Sequence, residues 1–531
     1  MGPRFLICFS VLLAATSTRA NEVVDTSAQW YGALELHLGG DAYFSKFMAF
    51  GWPTDSDHQR LTSEFAAVPA RRVISGLLSS GAGLPLSATR EIRGESGKAG
   101  KKVAQLLGKY RGQAGLSTAL PAAFDPTCIP ALRSRQQLVR TFREDDLSTW
   151  RWVEAPQKYS LEGFGFALLT ETTYARTQLL KEDPTPEDLF FAYLALHSAL
   201  AKVSELRHLI YDTRRQVIKP MEGGELLDID PHRFHFANSW TSEADSSGLL
   251  EHTLAEGDAH RRSYLRAQSA LLLGLSNLLS LTDPKALKGT KKPSVLSANH
   301  HENLMELTLF AFMTLRAHHI DVREGKARSA SKSGVAAPVD LGLCMLALEA
   351  FLDYVRTTEG RDPLKDRVES ERRKARTLVS RLSQQLREWC DPGEGIFDSY
   401  DLASNRRILR TKSVASQAFA ARGLLAAHRV LTPGSLEGPL LDAAHKALIW
   451  LDDERWVPTA GLYVDDKGGK EVDLLGLAAT LGVLRELSLH YKDGHYLLRY
   501  RQLLEGAHEA GLFTPPGGKD PAGLAPTIVA P

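Results

Sequence analysis

The segment WCDPGEGIFD at residues 389–398 is partly repeated about sixty residues later, as WLD at 450–452 and GLYVD at 461–465. Each copy leads through a polar turn into an apolar run, AFAARGLL at 418–425 and GLAA at 476–479. A repeat of this length is typical of arrays in which each helix pair buries its apolar face against the next pair. The stretch from Trp389 to His490 therefore predicts a stacked or closed array of helix pairs.

The same alternation of helices and turns extends over residues 184–507. Thr185-Pro186-Glu187-Asp188 is a typical helix start, with a threonine cap, a proline at the first helical position and acids in the first turn. A short strand is predicted at 209–212, and hairpins are predicted around Gly395 and Gly461. Helices are predicted at about 185–207, 258–281, 299–319, 339–355, 362–389, 412–430, 436–450, 472–489 and 495–507.

Two kinds of helix alternate in this series. The runs 341–351 and 474–484 are apolar nearly all round, which is typical of buried helices. The run 362–387 is strongly charged on one face, which is typical of a surface helix. We therefore expect an all-α fold in which inner helices line a barrel, outer helices surround it, and short β-hairpins lie on one rim. An open solenoid is the alternative.

This pattern resembles the (α/α) toroid superfamily, the six-hairpin barrel of many glycoside hydrolases, polysaccharide lyases and sugar epimerases. The resemblance is architectural and covers roughly residues 184–507. Four outer–inner pairs are visible there, and helices in residues 21–183 would supply two more if that region forms the first turns of the toroid. That region forming a separate cap is the alternative. No catalytic motif of a particular family is present.

The first twenty residues have the pattern of a cleaved signal peptide. Arg4 precedes an apolar run at 5–15, and Thr18-Arg19-Ala20 places small residues before a cleavage point at Asn21. The run is short for a membrane span, although an uncleaved anchor is the alternative. The pattern predicts an exported protein, periplasmic or secreted, without a membrane span after cleavage. A repeat region is predicted at 184–510, and the Pro/Gly-rich tail at 511–531 is predicted to be disordered.

Composition and short motifs exclude several functions. The 531 residues include 64 basic and 63 acidic ones, so the chain lacks the basic excess of nucleic-acid-binding proteins. No G-x-S-x-G, P-loop or dinucleotide-binding motif occurs, and the sequence predicts no cofactor and no metal. Outside the leader, Cys128, Cys344 and Cys390 form no C-x-x-C pair. A Cys344–Cys390 disulfide and buried free thiols are both open alternatives.

Two aspartates occupy matching positions at the start of inner helices, in Val339-Asp340-Leu341 and Val472-Asp473-Leu474. The long loops of the repeat meet the inner helices at this end, and long loops on a rigid scaffold often carry function. Two carboxyl groups about 5–10 Å apart can act as acid and base in glycoside chemistry. Asp340 and Asp473 are therefore candidate catalytic residues. The alternative is that each only caps its own helix.

The longest loop, at 219–257, holds the richest group of polar and aromatic residues. Together with the residues that follow it, this loop is the predicted substrate-binding region. Its candidate residues are Asp230, His232, Trp240, Asp258 and His260. The histidines and aspartates could provide a general base, with the tryptophan as an aromatic platform for a sugar ring. They could equally bind a divalent metal, although their spacing matches no metal motif. A solvated loop without a ligand is the alternative.

Two functions follow from these observations. The first is a carbohydrate-active hydrolase or lyase that acts on a polysaccharide or glycan by paired carboxylates in a central cleft. The second is a non-catalytic scaffold or assembly factor of the cell envelope that binds a partner protein. The first depends on fold-level analogy, and the second on the lack of a catalytic motif.

Overall fold

A computed structural model describes most of the chain from residue 27 to residue 510. The described residues are 27–49, 66, 70–71, 74, 99–116, 159–181, 183–221, 226–244, 250–255, 257–283, 298–321, 324–356, 365–465, 472–491 and 494–510. The predicted leader at 1–20, the predicted tail at 511–531 and Cys128 lie outside them.

Twelve α-helices are present among the described residues. They are α1 (Ser27–Ala49), α2 (Ala99–Ala114), α3 (Leu161–Leu179), α4 (Pro186–Leu206), α5 (Leu265–Thr282), α6 (Ala298–His319), α7 (Pro338–Tyr354), α8 (Lys365–Cys390), α9 (Val414–Leu431), α10 (Pro439–Glu454), α11 (Leu474–Tyr491) and α12 (Gly494–Glu509). The predicted start of α4 is confirmed: the Thr185 hydroxyl accepts a hydrogen bond from the Asp188 backbone N–H, and the Asp188 side chain accepts one from the Thr185 N–H.

The odd-numbered helices form a closed ring. Each of them packs against the next in the order α1, α3, α5, α7, α9 and α11, and α11 then packs against α1. The even-numbered helices lie outside this ring, with α4 against α3, α6 against α5, α10 against α9 and α12 against α11. The predicted all-α toroid is confirmed, and ring closure excludes the open solenoid. Because α1 and α3 belong to the ring, the toroid includes residues N-terminal to 184.

Burial separates the two layers as the hydrophobic pattern predicted. On the inner helix α5 every residue from Ala267 to Leu281 is buried, including its serines and asparagine. On the outer helix α8 only one face is buried, and the charged residues of the other face are exposed. Inner helices contact neighbours on all sides, so they must be apolar all round, whereas outer helices meet solvent on one side.

Glycines allow adjacent inner helices to approach closely. A Cβ atom on Gly165 of α3 would overlap the backbone of Ala270 and Leu271 on α5. A Cβ atom on Gly423 of α9 would lie 2.7 Å from the Cα atom of Gly342 on α7. At these contacts only glycine leaves room for the neighbouring backbone, so the narrow ring depends on them.

The interior of the ring is filled by side chains. The ring of Tyr31 on α1 lies 4.7 Å from that of Phe166 on α3 and 5.5 Å from that of Phe419 on α9. All three side chains are buried. Arg422, also buried, donates hydrogen bonds to Tyr31 and Glu35 of α1. Below its mouth, the interior of the toroid is therefore filled by packed aromatic and charged side chains.

The short strands lie between outer and inner helices, on the rim predicted for them. They are β1 (Tyr159–Ser160), β2 (Ile210–Asp212), β3 (Val217–Ile218), β4 (Phe234–Phe236), β5 (Ser239–Ala244), β6 (Leu250–Leu254), β7 (Val335–Ala336), β8 (Tyr400–Asp401), β9 (Trp456–Val457) and β10 (Leu462–Tyr463). The antiparallel sheets have the orders β1-β5-β6, β3-β2-β4, β7-β8 and β9-β10. The hairpin predicted around Gly461 is β9–β10.

Two further predictions are modified or decided by the structure. The helix predicted from Asp258 is divided: residues Asp258–Arg261 form a 3₁₀ turn, and α5 begins at Leu265, because Tyr264 forms a β-bridge with Ala330. Cys344 and Cys390 are buried free thiols, and burial raises the pKa of Cys344 to about 12. Within the described residues, α4 alone is long and apolar enough to cross a bilayer, and 78% of its most apolar window is buried inside the fold.

Candidate functional site

A polar cavity opens at the mouth of the ring, where α3, α5 and α7 begin. Its volume is about 350 Å³, and we call it the mouth pocket. It is lined by Glu162, Asn238, Tyr264, Arg266, Ala267 and Asp340. Most of these side chains are polar or charged, so the pocket is suited to a ligand rich in hydroxyl groups rather than to an apolar one.

The first turns of three consecutive inner helices carry the charged residues of the pocket. Glu162 lies in the first turn of α3, which the Ser160 hydroxyl caps by accepting a hydrogen bond from Gly163 N. Arg266 is the second residue of α5, and Asp340 is the third residue of α7. Parallel packing of these helices brings three residues together that are up to 178 positions apart in sequence. The free N–H groups of a helix start add a positive dipole end at the same place.

Glu162 and Arg266 form an ion pair across the pocket wall. The Arg266 Nε donates to the Glu162 Oε2 at 2.8 Å, and the Glu162 side chain is largely buried. This contact fixes the position of the Glu162 carboxyl group at the pocket wall. The guanidinium is itself more exposed and lies at the pocket surface.

Asp340 does not cap its helix. The cap position of α7 is Ala337, and no side-chain hydrogen bond closes that helix start. The Asp340 side chain is instead half-buried in the mouth pocket. Burial raises the pKa of the Asp340 carboxyl, while nearby Arg266 and the Ser329 hydroxyl act in the opposite direction with smaller effect. Asp340 is therefore the carboxyl of the pocket that holds a proton more tightly than an ordinary aspartate.

Asp473 occupies a different environment. Its Oδ1 accepts a hydrogen bond from Leu475 N at 3.1 Å and its Oδ2 accepts one from Gly476 N at 3.0 Å, so it caps α11. In the ring, α9 stands between α11 and α7, and Asp473 is not among the residues that line the mouth pocket. The matching sequence positions of Asp340 and Asp473 thus correspond to different local roles. The catalytic role proposed for the pair stays a prediction.

The five predicted loop residues lie outside the lining of the pocket. Asp230 and His232 are exposed, and the Asp230 Oδ1 accepts a hydrogen bond from His232 N at 3.0 Å. Trp240 is fully buried against Tyr159, with ring centroids 5.8 Å apart, so the structure places it in the core. Its position thus does not offer the expected surface platform.

The remaining two loop candidates lie just before α5. Asp258 is in the 3₁₀ turn at Asp258–Arg261. His260 Nδ1 is hydrogen-bonded to the Ser239 hydroxyl. The loop contributes to the pocket through a residue that sequence analysis did not select, Asn238, whose carbonyl oxygen also accepts a hydrogen bond from Leu161 N at 2.8 Å.

Glu162 and Arg266 were also missed by sequence analysis. Each lies in the first turn of an inner helix, the same location that led to Asp340 and Asp473. Glu162 would have been selected if α3 had been recognised as a member of the ring. Within the described part of the chain, no group of three or more His, Cys, Asp and Glu side chains is arranged to hold a metal ion.

No protein-family model and no curated protein match this sequence. Solved structures with a similar chain path include a D-mannose isomerase, with 13% identity over 76% of this chain and 86% of that one and a TM-score of 0.43. A GH76 alpha-mannanase from Bacteroides thetaiotaomicron has 10% identity over 65% and 73% of the two chains and a TM-score of 0.39. A sugar epimerase from a ruminal bacterium has 11% identity over 66% and 76% and a TM-score of 0.41. At these TM-scores we transfer neither residues nor chemistry from these proteins.

Proposed function

We propose that this protein is a carbohydrate-active enzyme, a hydrolase or lyase, whose active site is the mouth pocket. One observation carries the proposal. Two carboxyl groups of the pocket lie in different environments, since Glu162 is ion-paired with Arg266 and burial raises the pKa of Asp340. Carboxyl groups whose environments differ in this way are suited to act as a base and an acid in one reaction.

In this proposal each residue of the pocket has one task. Asp340 donates a proton to the oxygen of the leaving sugar, and Glu162 acts as the base or nucleophile on the other side of the bond. Arg266 and Asn238 orient the substrate by donating hydrogen bonds to its hydroxyl groups. The acid–base pair is thus Asp340 with Glu162, in place of the pair Asp340 and Asp473 expected from the repeated sequence.

The shape of the ring limits the proposed substrate. A cavity of about 350 Å³ is at the small end of ligand sites. Below it the ring is filled by Tyr31, Phe166 and Phe419, so a glycan chain has no path through the toroid. We therefore propose that the enzyme binds the end of a glycan, one or two sugar units at a time.

A panel of glycans tests the proposal directly. The purified protein is screened for glycan binding and for release of reducing or unsaturated sugars. The kcat of two isosteric variants, Asp340→Asn and Asp473→Asn, is then measured on a glycan that the wild type cleaves. We expect Asp340→Asn to lower kcat by at least about a hundredfold, since a positioned acid contributes about that much. Asp473→Asn is the matched control: asparagine caps a helix about as well as aspartate, so turnover should be unchanged.

The pH profile adds a second readout. In a plot of kcat/KM against pH, Asp473→Asn should leave the acidic limb unchanged. Arg266→Gln should move the basic limb to higher pH, because it removes a charge that lowers the pKa of Asp340. Equal activity of wild type and Asp340→Asn on every substrate would refute the assignment of Asp340. If Asp473→Asn loses turnover but keeps its helix content, the result would favour Asp340 and Asp473 as the catalytic pair, as the repeated sequence predicts.

The filled interior favours a second candidate function, a non-catalytic scaffold or assembly factor of the cell envelope. A scaffold needs a rigid surface and does not need a central cleft. The packed interior of the ring and the cap that Asp473 forms on α11 would make such a rigid surface. A scaffold would bind its partner protein equally well with Asp340→Asn, and it would turn over none of the glycans. Crosslinking in the envelope identifies the partner protein. The affinity of this partner for wild type and for Asp340→Asn is then measured, and equal affinities support the scaffold.

Export is part of both candidate functions. It depends on the leader pattern of residues 1–20, which lie outside the described residues. We expect the protein recovered from the periplasm or medium to begin at Asn21. Mass spectrometry of its N-terminal peptide measures this, and recovery of the protein with Met1 in the cytoplasm alone would contradict export.

A further inference from the structure

A short basic and apolar segment lies exposed on the rim before α9. It is Arg406-Arg407-Ile408-Leu409-Arg410, which we call the rim strand. Ile408 is 48% exposed and Leu409 is 50% exposed. Both are among the few large apolar side chains of the described residues that protrude into solvent, and three arginines surround them within five positions.

The rim strand is ordered by its own hairpin. Asp401 N donates to Arg406 O at 2.7 Å, and Ile408 N donates to Ser399 O at 2.9 Å. The other arm of the hairpin, β8, is paired with β7, which lies just before Asp340 on α7. The aliphatic side chains of Ile408 and Leu409 are therefore held at the mouth of the toroid, where their exposure to water is unfavourable.

The arginines of the rim strand have no acidic partner among the described residues. Within the part of the chain that the structure describes, Arg406, Arg407 and Arg410 form no ion pair. Arg407 lies over the ring of Phe397, 4.8 Å from its centroid. The acids of the same hairpin are occupied by hydroxyl groups, Asp398 by Ser413 and Ser416 and Asp401 by Ser404.

A second hairpin on the same end repeats this combination. The turn between β2 and β3 carries exposed Arg214 and Arg215 next to Val217, which is 47% exposed. Neither arginine forms an ion pair among the described residues. This hairpin precedes α5 and the rim strand precedes α9, so both lie at the end where inner helices begin.

We propose that this end of the toroid docks on an anionic lipid bilayer. Exposed aliphatic side chains beside arginines fit such a surface, since the apolar groups enter the boundary between headgroups and acyl chains while the arginines contact lipid phosphates. Charge complementarity alone would also suit an acidic peptide. Two separate hairpins with the same composition fit an extended surface better than a single groove. The proposal does not depend on the chemistry of the mouth pocket, which opens at the same end of the toroid and would face the bilayer.

Vesicle sedimentation tests the docking surface. The purified protein beginning at Asn21 is mixed with vesicles of phosphatidylcholine, with or without phosphatidylglycerol, and the bound fraction is measured after centrifugation. We expect binding only to the anionic vesicles. Arg406→Gln and Arg410→Gln should each weaken it about fivefold, and the double variant Ile408→Ser/Leu409→Ser should weaken it about tenfold or more.

Leu436→Ser is the matched control for the aliphatic residues. Leu436 is 61% exposed, but it stands between Ser435 and Glu437 in the loop after α9, at the other end of the ring. We expect this variant to bind as wild type does. The proposal is overturned if wild type does not sediment with anionic vesicles, or if Leu436→Ser loses as much binding as the double variant. It is also overturned if the double variant binds undiminished, which would indicate that the arginines alone attach the protein to any acidic surface and that Ile408 and Leu409 do not enter the bilayer.

Discussion

At the scale of single residues, Asp340 links the mouth pocket to stability, because burial makes this carboxyl group costly to ionise. Burial raises its pKa, so the folded protein binds this proton more tightly than the unfolded chain does. As pH rises from the usual value of 3.8 through the raised one, the unfolded chain releases the proton first, and the folded state loses stability relative to it.

We therefore predict that Asp340→Asn alters stability in a pH-dependent manner. The free energy of unfolding of the variant, relative to that of wild type, should be higher at about pH 7 than at about pH 3, because asparagine has no charge to bury. Urea unfolding at both pH values measures this difference. Asp401→Asn is the opposite control, since hydrogen bonds from Ser404 lower the pKa of Asp401 and its relative stability should fall at about pH 7. A variant difference that is independent of pH would contradict the prediction.

The site was only partly predictable from the residues. Val339-Asp340-Leu341 led to a residue that lines the mouth pocket, because a repeated aspartate before an apolar helix indicates the mouth of a ring. The same repeat suggested Asp473 as a partner, and nothing local distinguishes a capping aspartate from one that faces a pocket. Glu162 and Arg266 meet Asp340 only through packing of α3, α5 and α7, and that contact follows from ring closure rather than from a sequence pattern.

At the scale of elements, the narrow contacts between inner helices depend on particular glycines. A helical glycine usually costs stability, and its replacement by alanine in an open position gains about 0.5–1 kcal/mol. Gly165 is different, because a Cβ atom there would overlap the backbone of Ala270 and Leu271 on α5.

We predict opposite signs for the same substitution at two helical glycines. Gly165→Ala should lower the free energy of unfolding by about 1–3 kcal/mol or more, since the α3–α5 contact must open. Gly108→Ala on α2 should raise it by about 0.5–1 kcal/mol, because a Cβ atom there meets nothing within 4 Å. Denaturant unfolding measures both. A stabilising Gly165→Ala would show that the helices are not in close contact.

The elements themselves were largely predictable. The Thr185–Asp188 cap, the apolar inner helices and the one-sided α8 each follow from local chemistry. The exception is α1. Its apolar residues surround the helix without a repeat signature, and the partners that bury it are α3, α11 and the distant side chain of Arg422. Its place in the ring therefore could not be assigned from the pattern that located the others.

At the scale of the whole molecule, buried ion pairs join α1 to the last two inner helices of the ring, α9 and α11. Arg422 on α9 lies 2.6 Å from Glu35 of α1 and 2.7 Å from Glu486 of α11. Arg485 also contacts Glu35, at 3.0 Å, and Arg429 contacts Glu486 at 3.0 Å. Burial acts against ionisation of Glu486, but the arginines, Arg422 first, outweigh it and lower its pKa to about 2.

We predict that Arg422→Met destabilises the protein by about 3–5 kcal/mol, because two buried carboxylates lose their shared partner. Arg387→Met is the matched control: its pair with Asp391 is partly exposed, so the loss should stay below about 1 kcal/mol. Urea unfolding at neutral pH measures both variants. The stability that Glu486 contributes is present above its usual pKa of 4.5 and is lost as pH falls towards about 2, so acidification should narrow the gap between wild type and Arg422→Met. Equal losses in the two variants would refute the role of the buried network.

The closure of the ring by α1 also determines when the protein can finish folding. During synthesis Arg422 follows Glu35 by 387 positions and Arg485 follows it by 450. Until α11 has been synthesised, α1 has one bare side and a carboxylate without its cations. This helix, the most N-terminal one among the described residues, is thus among the last to be fully covered, and its uncovered face is prone to aggregation until α11 has been made.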